Sequence, residues 1–264
     1  MKTLVAWTLR QRKLSTIWWS VGIAFFMFIN MIFYPSFKND AEELQQSFEN
    51  IPDAALQLLG GSADFFSPIG YVNSQIFFLT FPIVLTILAI TLGSKLLAEE
   101  ETNKTIESLL SRPISRTKLL FAKGLAGEII LTTVTVVSWL TILIFARIVD
   151  LEVSAWSLTK ATIVCFLMVY CYGAIAYMFT AIGRTRGVGV AVASFVAFGG
   201  YIISSLAGTV SWLSVPAKLF PFHYYQSEAI LRGTYNWQNL WYFIVLIAVC
   251  IVVSWLAFRR RDLA

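Results

Sequence analysis

The sequence predicts an all-α, polytopic membrane protein with six transmembrane helices, and three observations carry that prediction. Of 264 residues, 58% are apolar and only 13% charged, a balance outside that of soluble domains. A hydrocarbon core about 30 Å thick needs roughly 20 apolar residues of helix, and such runs fall at 17–34, 71–97, 129–146, 158–182, 187–210 and 240–258. The loops between them alternate between basic and nearly uncharged.

That alternation sets the orientation. Of the 20 lysines and arginines, one side holds Lys2, Arg10, Arg12, Lys13, Lys95, Lys104, Arg112, Arg116, Lys118, Lys123, Arg184, Arg186, Arg259, Arg260 and Arg261. The other keeps Lys38, Arg147, Lys160, Lys218 and Arg232. Positive charge stays inside, so both termini are expected in the cytoplasm. The net charge of +5 then reflects topology. No soluble basic domain exists to bind nucleic acid.

Taken in order, Leu4, Trp7, Leu14 and Trp18 approximate a helical stripe beside Lys2, Arg10, Arg12 and Lys13. This pattern predicts an N-terminal interfacial helix, although a cytoplasmic extension of the first span fits the same residues. The first apolar run is long and lacks a small-residue cleavage site, so it is expected to remain as a helix. Residues 36–70 carry Asp40, Glu42, Glu43, Glu49, Asp53 and Asp64 against Lys38 alone. Asn39 or Asp40 would cap a helix with Ala41, Leu44, Phe48 and Ile51 on its apolar face, and Pro52 would open a second short helix ending at Gly60 and Gly61.

Between the second and third spans lies EEETNKTIESLLSRPISRTKLLFAK, from Glu99 to Lys123. Thr105 to Leu110 suit a short helix with Ile106, Leu109 and Leu110 on one edge; Pro113 ends it and Ser115 starts the next. Counting apolar residues from Leu119 would sink Glu128 about 14 Å into the third span, at a cost on the order of 3 kcal/mol. Starting the membrane at Ile129 removes that cost. Residues 123–128 are therefore expected to stand proud of the bilayer, with Glu128 solvated or paired.

The fifth span repeats small residues at helical spacing, in Gly189, Ala193 and Ala197 and again in Gly200, Ser204 and Gly208. Such stripes let helix backbones approach closely in lipid, within the bundle or between subunits. Residues 211–238 are too polar to span and too apolar for an ordinary loop. Broken by Pro216 and Pro221, with a short helix expected over 224–231, they predict a partly re-entrant external segment or an aromatic belt resting on the bilayer.

Chemistry is sparse. Cys165, Cys171 and Cys250 fall in predicted spans without ligand spacing, and the single histidine, His223, sits in the external segment. No phosphate loop of the GxxxxGK[ST] kind occurs, and zinc-protease and nucleophile-elbow signatures are missing. Glu99, Glu100 and Lys104 are similar to the EExxxR element of membrane-embedded prenyl-protein proteases, but the intramembrane histidines of that chemistry are lacking. The chain is therefore not expected to be an enzyme, to bind a cofactor or to hold a metal. Ion-coupled transport finds no clear ionisable pairs at mid-depth.

The pattern Glu-Glu-x-x-x-Thr-x-Glu-x-Leu-Leu-x-x-Pro-Ile-Ser-Arg, ending in Lys123-Gly124, resembles the cytoplasmic loop of ABC-2 type permeases, the membrane subunits of bacterial ABC exporters. The likeness extends over the whole chain, through the Pro-Phe-His-Tyr-Tyr core before the last span to the closing Phe258-Arg259-Arg260-Arg261-Asp262-Leu263. One departure is Lys104, where a glycine commonly precedes the threonine. The resemblance implies a single transmembrane domain over 1–264 in the bacterial cytoplasmic membrane. It also implies a coupling helix between the second and third spans that docks on a separate ATPase subunit, where ATP and magnesium bind. Two such subunits would join two permeases, as a homodimer or a paralogous heterodimer, in contact with membrane lipid. The implied docking residues are Glu99, Glu100, Glu101, Thr105, Glu107, Leu109, Leu110, Pro113 and Arg116. A membrane sensor or scaffold whose loop binds a regulator is the alternative. The aromatic content and an expected lateral, lipid-facing path favour a hydrophobic or amphipathic cargo such as a lipid, peptide or antibiotic, with metal-related or polysaccharide cargo as the alternatives.

Overall fold

The computed structural model describes residues 1–39, 52–60, 67–102, 115–183 and 186–260. Among these, every regular element is a helix. The long helices are α1 (Lys2–Ile32), α5 (Phe81–Thr102), α6 (Arg116–Ile148), α7 (Ala155–Ala181), α8 (Arg186–Leu206) and α12 (Leu240–Arg260). Between them lie α2 (Tyr34–Asn39), α3 (Asp53–Leu58), α4 (Pro68–Val72), α9 (Ser214–Ala217), α10 (Pro221–Tyr224) and α11 (Ser227–Arg232). A π-helix, Asn73–Thr80, joins α4 to α5. Six of these stretches are long and apolar enough to cross a membrane, in the expected order.

The bundle has a centre and a perimeter. In the second and fourth spans 56% and 50% of the apolar window is buried, against 17% in the first, fifth and sixth. The second and fourth cross closely because both carry glycine at the contact. A Cβ on Gly93 would stand 2.3 Å from the Gly173 carbonyl oxygen, a separation that no side chain tolerates. Perimeter helices turn large apolar side chains outward, among them Phe25 on α1, Phe195 on α8 and Trp241 on α12, as a lipid-facing surface requires.

Several expectations are corrected. The N-terminal stripe is not a separate interfacial helix; α1 runs unbroken from Lys2 through Ile32. The reason is packing, since Val5 is buried against Ala122 and Ala126, with Leu4 and Leu9 alongside. Residues 123–128 do not stand alone but are packed among neighbouring helices. Leu119 and Leu120 cluster with Leu97, Ala181 and Phe258, so the ends of the second, fourth and sixth spans flank this stretch, and Lys123 is only 2% exposed. In the external segment the expected helix over 224–231 is two, α10 and α11, interrupted at Tyr225. There the chain turns so that the Tyr225 hydroxyl donates to the Phe77 carbonyl at 2.8 Å.

Other local readings hold. Ser115 caps α6, accepting from the Lys118 N–H at 3.3 Å. Pro52 precedes α3 as its cap, and Gly60 closes the turn at φ 72, a left-handed conformation that suits glycine. The helix expected over 41–51 lies outside the described residues.

Candidate functional site

The basic end of the bundle carries the two stems of the loop singled out by sequence. The first stem is the last turns of α5, which include Glu99, Glu100 and Glu101; the second begins at Arg116, the first residue of α6. Buried Leu97 of one stem meets Leu119 and Leu120 of the other, so both reach the loop as packed helices. Thr105, Glu107, Leu109, Leu110 and Pro113 lie outside the described residues, as do the side chains of Glu100 and Glu101.

Two polar contacts bind α1 to these stems. The Arg12 guanidinium donates to the Glu99 carboxylate and forms an ion pair with it. The Lys123 ammonium lies 4.9 Å from the ring centroid of Trp7, within reach of the negative face of the indole. Sequence reasoning counted Arg12 and Lys123 only as positive charge and read Trp7 only as part of a stripe. No local signal pairs Arg12 with Glu99, which stands 87 residues further on.

The stripe, on α8 and the turn that follows it, faces α7, Phe220 and α3. A Cβ at Gly189 would lie 2.9 Å from the Ala176 carbonyl of α7, and one at Gly200 2.9 Å from Phe220 Cβ. Ala193 is fully buried, and Gly208 sits beside Gln57, at 3.3 Å from a built Cβ. Ala197 packs against the core, and Ser204 lines a cavity at the opposite end of the bundle. These contacts lie within the chain.

At that opposite end the π-helix organises polar groups. Asn73 donates from Nδ2 to the Gly60 carbonyl at 3.2 Å and accepts from the Ser227 hydroxyl at 2.6 Å. The Tyr201 hydroxyl donates to the Leu58 carbonyl. Thus α3, α8 and α11 are tied to the start of the second span. His223 stands in this group, its pKa lowered by burial and then by the charge of Lys218.

Six membrane-competent helices, a lipid-facing perimeter and packed stems at the basic end define a multi-pass membrane protein. The family model described as ABC-2 family transporter protein matches residues 5–263. No curated protein matches the chain significantly. The chain belongs to the ABC-2 transporter family and is a membrane component of an ABC transporter.

Proposed function

We propose that this chain is the permease subunit of an ABC exporter, which couples ATP hydrolysis by a separate ATPase to export across the cytoplasmic membrane. The family match over nearly the whole chain carries this reading. In it the loop between Glu99 and Arg116 docks on the ATPase. Ile106, Leu109 and Leu110 supply the apolar edge, and Glu99 to Glu101, Thr105, Glu107, Pro113 and Arg116 set its orientation. Closure of two ATPase subunits would move two permease copies against each other and open a path between them. The packed stems support the mechanical part, because a motion at the loop enters α5 and α6 through their buried contact.

Co-expression with an ABC ATPase subunit that co-purifies with the wild-type chain tests it. Leu109→Glu combined with Leu110→Glu is expected to abolish co-purification and lower permease-stimulated ATP turnover by at least about tenfold. Intact assembly and turnover in that double variant would refute the docking assignment.

A further inference from the structure

Beside α6, a cavity of about 430 Å³ opens between the second, third, fourth and sixth spans, with Met1 at the start of α1 also lining it. Leu92, Leu131 and Ile251 give it apolar walls, Tyr170 and Tyr177 contribute aromatic rings, and Glu128 contributes a carboxylate. Gly93, Gly124, Gly127 and Gly173 also line it, and their missing side chains leave room for an occupant. Phe121, Leu125 and Ile251 are exposed around it, so it opens sideways onto the apolar perimeter.

The carboxylate is unusual in its setting. Leu97, Leu119, Leu120, Ala181 and Phe258 mark the level where the spans give way to Glu99 and Arg259. Glu128 lies beyond that level toward the bundle centre, about 14 Å along α6 from Leu119 by helical rise. Among the described residues it makes no ion pair and no hydrogen bond; the Tyr170 hydroxyl is its electrostatic neighbour, and Met1 lines the same cavity. Arg12 holds Glu99, and Lys123 lies over Trp7 on the opposite face of α6. Lys118 stands at the basic-end mouth, about 15 Å away along the helix. An exposed carboxylate without an ion-pair partner inside an apolar groove selects for positive charge.

We propose that this groove binds a single-chain cationic amphiphile, whose ammonium or guanidinium head meets Glu128 while its chain lies along Leu92, Leu131 and Ile251. The volume falls at the small end of ligand sites. A two-chain phospholipid fits the charge less well, because its phosphate would descend beside the carboxylate. The site follows from the chain's own geometry and does not depend on transport.

The test is equilibrium binding to the purified protein in phosphatidylcholine nanodiscs, read by fluorescence anisotropy. The probes are a twelve-carbon chain with a free amine at one end and a dansyl group at the other, and the matching chain with a carboxylate in place of the amine. The amine is expected to bind saturably, and the carboxylate at least about tenfold more weakly. Glu128→Gln should weaken the amine about tenfold with unchanged thermal unfolding, and Ile251→Trp, at an exposed wall position, should weaken both probes by filling the groove. Equal amine binding by wild type and Glu128→Gln, equal binding of the two probes, or no saturable binding would overturn the proposal. Loss of amine binding on exchanging phosphatidylcholine for phosphatidylethanolamine would assign the groove to that lipid and overturn it too. Any of these failures leaves the permease reading standing, because none involves the ATPase.

Discussion

Adding one methyl group at Gly93 would push it into the Gly173 carbonyl oxygen, 2.3 Å from the built Cβ. That neighbour is backbone in the middle of a helix, so the two spans would have to separate. Gly93→Ala is expected to destabilise the protein by about 2 kcal/mol, seen as a lower unfolding temperature in detergent. Gly22→Ala, with nothing within 4 Å of its Cβ, should leave that temperature unchanged; equal shifts in the two variants would disprove the crossing. Neither glycine stands out in the sequence. Gly93 and Gly173 are single glycines on different helices, whereas the α8 stripe repeats along one helix and was legible for that reason. Glu128 shows the same limit. Hydropathy counting assigns a residue a depth but no azimuth, so nothing local told that its carboxylate faces a groove while Lys123 faces α1.

At the scale of elements, the six spans were legible because each needs a long apolar run. The cap at Ser115 was legible because its signal is local. The π-helix was not. Its residues Asn73–Thr80 carry no breaker and no distinctive spacing, and a widened turn is held by what packs against it. Tyr225 is one such support, donating to the Phe77 carbonyl from a position only 2% exposed. Tyr225→Phe leaves that carbonyl without its hydroxyl partner and is expected to cost about 1–2 kcal/mol. Tyr224→Phe removes an exposed bond to the Lys218 carbonyl and should cost less than half as much. Thermal unfolding of the pair decides, and equal costs would deny Tyr225 its anchoring role. The same long-range packing explains why α1 is continuous: the stripe at Leu4 and Trp7 gave no hint that Ala122 and Ala126 would cover Val5.

For the molecule as a whole, the orientation expected from the positive-inside distribution, with Lys2 in the cytoplasm and Leu219 outside, is open to test. The native thiols Cys165, Cys171 and Cys250 are 0%, 0% and 2% exposed, so single added cysteines can be read without background. Leu219→Cys, at a site 74% exposed, is expected to react with an impermeant maleimide in intact cells, and Lys2→Cys only after lysis. Labelling of Lys2→Cys in intact cells would invert the topology. The six-fold crossing pattern was open to sequence reasoning because charge and apolar length both report it. The lateral neighbours of each helix were not, since they depend on contacts far apart in the chain. One such set of contacts has a mechanical meaning. Arg12 grips the stem that leads into the loop, and Trp7 covers Lys123 on the stem that leads out. The first helix is therefore a yoke across both stems. On the proposed coupling, a load arriving at the loop would be shared among three helices rather than spent in prying two apart, and α1, with most of its length facing outward, would carry that load to the rim of the bundle.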